Sequence, residues 1–384
     1  MIYIYLPIFI LILILSVFIT NKIIKLELSP VRYTEIDGIR GYLALFVFLH
    51  HSYIWHVYLN TNKWEEPQSN LFNHFGQTSV SLFFIITAFL FTTKLLESKK
   101  DDFEWIKYIK SRFFRMFPMY FISIIAIFII VLIESNFEIK ENVITIFKSS
   151  LSWLFFTING SNEINGFDNT YLIDAGVTWT LPYEWMFYFL LPILALAFKL
   201  KVNLKIIISF TGMFIMIALL NKAKFTPFIP FISGVLCALL IYKYNLRHLF
   251  QKNIYSIISI LLMACSIFFV HRGNRPIPVI ITTFLFILIA CGNNFFGILS
   301  QLFSRKLGQI TYSIYLIHGI VLFLVFHNII GYKLASKLTE IEHWGIISLC
   351  IFPIIFISQL TFKYIELPFI NFKLKNNNVK PRSS

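Results

Sequence analysis

Asp37-Gly38-Ile39-Arg40 and His50-His51 stand in one long apolar run and are the residues of this chain best placed to do chemistry. An arginine and two histidines inside a membrane-length helix are costly and are retained where they act. Arg40 and His51 are eleven residues apart. That is close to three turns at 3.6 residues per turn, so the two share a helix face, with His51 about 16 Å further along the axis. His50 points roughly 100° away from that face, so if one histidine works with Arg40 it is His51. A histidine takes a proton from a hydroxyl near neutral pH, the step that acyl transfer to an alcohol needs. Without a function, the same pair is a histidine bonded to a neighbouring helix and an arginine at the lipid headgroups.

Three other constellations carry polar groups into apolar sequence. Arg112-Phe-Phe-Arg115 lies in a basic loop with Lys99, Lys100, Lys107 and Lys110. Two arginines at i, i+3 project to one side and can grip phosphate in bidentate fashion; the bland alternative is an ordinary basic loop. Trp179-Thr-Leu-Pro-Tyr-Glu184-Trp-Met-Phe-Tyr188 places a carboxylate about one turn inside a span. Glu184 there orients a histidine, binds a sugar hydroxyl, or snorkels within an aromatic belt. Leu307-Gly-Gln-Ile-Thr-Tyr312-Ser-Ile-Tyr315-Leu-Ile-His318 sets Tyr315 and His318 on one face, with Tyr312 read as a helix-to-helix bond. His56, His74, His271, His327 and His343 fall at span ends or in outer loops and read as interfacial.

The elements that must position these groups are membrane helices. The chain has 384 residues, 57% of them hydrophobic and only 14% charged, where a soluble domain is about one quarter charged. Its mean hydropathy is +0.74. The fold class expected is therefore an all-α polytopic membrane protein. Apolar runs of span length lie at 2–22, 40–60, 77–96, 114–134, 180–199, 204–221, 226–243, 253–271, 276–292, 308–328 and 344–362, eleven in all. The stretch 143–158 is apolar but short, contains Lys148, and is read as re-entrant or interfacial. Basic connections at 21–39, 94–115, 198–205, 243–252, 305–306 and the tail 371–384 fall on one side of alternating crossings, which makes that side cytoplasmic, with the N-terminus outside and the C-terminus inside. The opposite side receives 61–75 and the acidic, Asn-rich 159–178 with Glu163, Asp168 and Asp174. The first run lacks a preceding basic region and a cleavage site, so it reads as a retained span. The net charge of +14 reflects basic loops facing lipid or an anionic cofactor, not nucleic acid. Cys237, Cys265, Cys291 and Cys350 sit in apolar segments without a CxxC pair and read as buried thiols. There is no Walker loop, GxSxG elbow or HExxH site, so neither a serine hydrolase nor a metal site is expected.

Taken together, these segments resemble the integral-membrane family-three acyltransferases, the bacterial O-acetyltransferase type that decorates surface glycans. The resemblance runs from Tyr33 to Phe369. It rests on Glu35-Ile-Asp37-Gly38-Ile-Arg40-Gly41 followed by His51, on the Arg112/Arg115 pair, on Trp179 to Pro192, on Phe231 and Gly234, on Leu307 to His318, and on Tyr364-Ile-Glu366-Leu-Pro368-Phe369. Two departures stand out. Thr87-Ala88-Phe89 replaces the family's Ser-Gly-Phe, so Ala88 either reshapes the pocket or tightens a helix contact, and one span precedes the usual ten. The resemblance implies an extra N-terminal transmembrane helix and linker (1–32), a ten-helix acyltransferase core (33–370) and a basic tail (371–384). It implies an inner-membrane O-acyltransferase that takes acetyl from acetyl-coenzyme A, with no metal, and delivers it to a hydroxyl of a surface polysaccharide or its lipid-linked precursor. Arg112, Arg115 and Arg40 would hold the donor. His51, Arg40 and Glu184 would be catalytic, His51 acting as base or as a transient acetyl carrier. Asp37, Tyr188, Tyr315 and His318 would contact substrate, and the 159–178 loop would meet the acceptor. A longer acyl donor, and a glycan or lipid transporter without acyl transfer, are the competing readings.

Overall fold

The computed structural model describes residues 6–28, 32–98, 103–246 and 249–371. Lys99, Lys100 and nearly all of the basic tail therefore lie outside the described residues. The order is α1 (Leu6–Ile24), α2 (Thr34–Thr61), α3 (Asn70–Glu97), α4 (Trp105–Glu134), α5 (Val143–Leu154), α6 (Thr180–Ala197), α7 (Leu204–Leu220), α8 (Phe228–Tyr244), α9 (Asn253–Phe269), α10 (Pro276–Ala290), α11 (Leu302–Gln309), α12 (Thr311–Phe323), α13 (Tyr332–Ala335) and α14 (Glu340–Thr361). Helices are the expected answer to an apolar solvent, since they satisfy every backbone polar group within the segment. Each of the eleven expected spans is a helix. Among the described residues, six are long and apolar enough to cross a membrane: α1, α3, α4, α6, α12 and α14. α7 to α10 are apolar helices of 15 to 17 residues. α2 has 28 residues and carries the polar groups named above. The chain is an all-α polytopic membrane protein.

α5 has 12 residues, about 18 Å at 1.5 Å per residue, too short for a hydrocarbon core of about 30 Å. Segment 143–158 thus does not cross. Asn142 caps this helix by accepting from the Ile144 amide at 2.8 Å.

The centre of the bundle is α2, flanked by α3, α11 and α12; α3 in turn packs on α8, and α1 lies against α14. The Asp-Gly-Ile-Arg-Gly segment has a packing reason. A Cβ on Gly38 would run into the Leu299 carbonyl, and a Cβ on Gly308 would run into the Asp37 carbonyl. Missing side chains on both partners let the start of α2 touch the 299–308 segment backbone to backbone. Ala88 faces Gly234, whose own Cβ would meet the Ile85 carbonyl. Ala88 thus sits in the α3–α8 contact and lines neither of the cavities described below. A ring stack of Phe84, Phe231 and Phe187, with centroids 4.4 and 4.8 Å apart, fills the same interface.

Several expectations change. Arg112 and Arg115 are inside α4, not in a loop, because the helix starts at Trp105, where Lys107 pairs with Glu104 at 2.8 Å. Long basic side chains reach past the helix surface while their backbone stays helical. His74 and His343 are buried, not interfacial. Their ring nitrogens bond the carbonyls of Val270 (2.8 Å) and Ser52 (3.1 Å), tying α3 and α14 to neighbours. Cys265 is exposed while the other three cysteines are buried.

Candidate active site

Two cavities occupy the middle of the bundle. The smaller, about 180 Å³, is lined by Arg40, Arg112, Arg115, Glu184, Tyr188 and Thr87 among others. The larger, about 630 Å³, is lined by His50, His51, Gln77, Trp179 and Lys224 among others. Val80, Phe84 and Tyr315 line both, so they form the partition between them. α2 presents Arg40 to one cavity and, three turns on, His51 together with His50 to the other.

In the smaller cavity the arginines are fixed differently. Arg40 Nη1 lies 3.5 Å from Asp37 Oδ1 one turn back. Asp37 thus steadies Arg40 and lines neither cavity. Arg115 Nη1 is 2.6 Å from Glu366 Oε2, a carboxylate with no exposed surface. Glu366 also accepts from the Ser313 hydroxyl and sits at the end of a π-helical turn, Phe362–Glu366. Such turns recur at functional sites because they rotate a side chain off the helix register. Arg112 is bound less tightly, its Nη2 donating to the Ser111 hydroxyl at 3.3 Å. Its guanidinium lies 4.7 Å from the centroid of the Phe91 ring, and its buried Nε has no partner. A buried arginine donor without an acceptor is costly unless a ligand supplies one. Glu184 accepts from the Tyr188 hydroxyl at 3.1 Å and belongs to this arginine-lined cavity. The structure does not bring Glu184 to His51.

His318 takes that place. His51 Nδ1 is 3.0 Å from His318 Nε2, and His318 Nδ1 is 3.0 Å from the Ile314 carbonyl. A carbonyl only accepts, so His318 carries its proton on Nδ1 and offers the Nε2 lone pair. His51 must then donate from Nδ1, which leaves its own Nε2 as a free base. His50 is held apart: its Nδ1 bonds the Phe72 carbonyl at 2.8 Å. Gly76 makes room for its ring, since a Cβ there would clash with it. Tyr315 is anchored in the partition by Thr180 Oγ1 (3.1 Å) and the Val177 carbonyl (3.0 Å). Tyr312 donates to the Met116 carbonyl at 3.0 Å, the helix-to-helix bond expected.

The acidic 159–178 segment does not line the His51 cavity. Asp174 is buried, accepts from the Gly176 amide at 2.9 Å, and is raised to about 7 by burial. It packs a connecting segment, with Gly319 against its backbone. Sequence reasoning missed Glu366 as the partner of Arg115. The signal available was a carboxylate beside Pro368 at the end of an apolar span.

The family model described as an acyltransferase domain matches residues 33–363, and the chain belongs to that family, acyltransferase family 3. No curated protein and no solved structure matches the chain. The protein is a membrane acyltransferase, which decides between acyl transfer and the transport reading.

Proposed function

We propose that this acyltransferase moves acetyl from acetyl-coenzyme A, bound at the cytoplasmic side, to a hydroxyl of a surface polysaccharide or of its lipid-linked precursor. One observation carries the reading: an arginine-lined cavity and a histidine-lined cavity meet at a thin partition of Val80, Phe84 and Tyr315. The arginine side suits a donor bearing phosphates. Arg112 has an unsatisfied buried donor to offer, and Arg115 is held in place by Glu366. The basic loops at that end support the reading that it faces the cytoplasm from the inner membrane, with the N-terminus outside. In this reading the chain divides into an extra N-terminal helix and linker (1–32), an acyltransferase core (33–370) and a basic tail (371–384). On the opposite side, Trp179 offers an aromatic face for a sugar ring, and Gln77 and Asn274 offer hydrogen bonds for its hydroxyls.

In this mechanism the acceptor hydroxyl gives its proton to His51 Nε2. The hydroxyl oxygen attacks the acyl carbon, the C–O bond forms as the C–S bond breaks, and the leaving thiolate takes the proton back from the imidazolium. His318 fixes the tautomer that makes His51 a base. Arg40, in the donor cavity, adds positive charge for the acidic groups of the donor. Glu184 and Tyr188 complete the donor cavity. The test is a titration of the purified protein with acetyl-coenzyme A. Saturable binding should weaken in Arg112→Ala by about 10- to 150-fold, the equivalent of a charge-assisted hydrogen bond of about 1.5–3 kcal/mol. No binding at millimolar donor by folded protein would refute it.

A further inference from the structure

The larger cavity carries a charge pattern that hydroxyl activation does not require. Three cations line it, Lys224, Arg272 and Arg275, and no aspartate or glutamate does. Arg272 is already compensated, with Nε 3.0 Å from Glu66 Oε2. Lys224 and Arg275 have no carboxylate partner among the described residues. Both are exposed, and they arrive from different connections, one between α7 and α8 and the other between α9 and α10.

Their backbones are held. The Lys224 amide donates to the Tyr183 hydroxyl at 3.0 Å. The segment before Arg275 is pinned to α3: His271 Nδ1 is 2.7 Å from Asn70 Oδ1, and a Cβ on Gly273 would strike the Thr78 hydroxyl. A snorkelling cation that serves lipid headgroups faces the perimeter of a bundle, whereas these two line the same concavity as His51. They also sit at the end where membrane proteins place few basic residues.

We infer that the acceptor is anionic: it brings a carboxylate or a phosphate to Lys224 and Arg275 while its hydroxyl reaches His51. Arginine forks onto either oxyanion, and lysine adds a point charge. This inference rests on the acyl-transfer reading, and binding without donor tests it separately. The full-length protein in detergent is titrated with trigalacturonate, with its fully methyl-esterified form, and with a polyprenyl diphosphate. Trigalacturonate should bind at least about 10-fold more tightly than the ester, the value of one charge-assisted contact. The preference should vanish in Lys224→Ala/Arg275→Ala and survive in the charge-retaining Lys224→Arg/Arg275→Lys protein, which also controls for folding. Binding of the diphosphate alone, with the same dependence on the two cations, supports the inference and assigns the anion to a lipid carrier. Equal affinity for acid and ester without diphosphate binding, binding unchanged in the double alanine variant, or no binding of either anion would overturn it. Thiol release from acetyl-coenzyme A, measured in parallel, tells a failure here from a failure of the acyl-transfer reading.

Discussion

Replacing His318 tests the claim that one histidine sets the chemistry of another. In His318→Leu the volume is nearly kept, but the acceptor for His51 Nδ1–H, 3.0 Å away in the native protein, is gone. An unsatisfied donor in a buried site costs about 1–3 kcal/mol. His51 escapes that cost by turning its ring or moving its proton to Nε2, and both remove the base. At about 1.4 kcal/mol per factor of ten, kcat falls about 5- to 150-fold. His318→Gln returns an acceptor oxygen and should recover most of the loss, whereas a purely structural role for His318 would be served by Leu at least as well. The assay is release of coenzyme A thiol from acetyl-coenzyme A with water as acceptor, followed beside donor affinity. Donor affinity should stay near the native value, because His318 lies outside the arginine-lined cavity. Native kcat in His318→Leu, or equal loss in Leu and Gln, would refute the tautomer argument.

Arg115→Ala should lower thermal stability as well as donor affinity, because it strands the Glu366 carboxylate, which has no exposed surface, at a cost of about 3–5 kcal/mol. Arg115→Ala/Glu366→Gln should regain most of the stability in detergent melts while donor binding stays weak; a double variant as unstable as the single one would contradict this. Asp174 predicts a pH effect. Burial raises its carboxyl to about 7, so between about pH 4 and 7 the folded protein keeps a proton that the unfolded chain releases, and stability falls as pH rises through that window. Asp174→Asn should therefore melt higher than the native protein at pH 8, by up to about 4 kcal/mol in stability, with the gap closing near pH 4. A gap that grows on acidification would show the carboxylate to be stabilising.

Local periodicity made much of this molecule legible. The Arg40–His51 face follows from eleven residues of one helix, and the shortness of segment 143–158 is legible in the same way, since it forms a helix of 12 residues. Pairings between distant segments were not legible. His51 and His318 are 267 positions apart, and Arg115 and Glu366 are 251 apart. Nothing in either local pattern says which helix faces which. That gap is why the sequence leaves Glu184 open between orienting a histidine, binding a sugar hydroxyl and snorkelling, whereas α6 delivers it to the arginine cavity. The internal bonds of the 159–178 segment were equally out of reach. Its composition reads as an outer loop that meets the acceptor, but Asn165 bonds the Lys140 amide (2.8 Å) and the Glu138 carbonyl (2.8 Å), and Asp174 is buried, so these two serve internal turns while Glu163 and Asp168 stay exposed.

The central claim is that His51 is the base that activates the acceptor hydroxyl. Thiol release and acetyl-coenzyme A binding measured on native protein and His51→Ala test it most directly. His51→Ala should bind donor as the native protein does and release thiol about 10²- to 10⁴-fold more slowly, the range of a lost general base. A variant that turns over at the native rate would contradict the account.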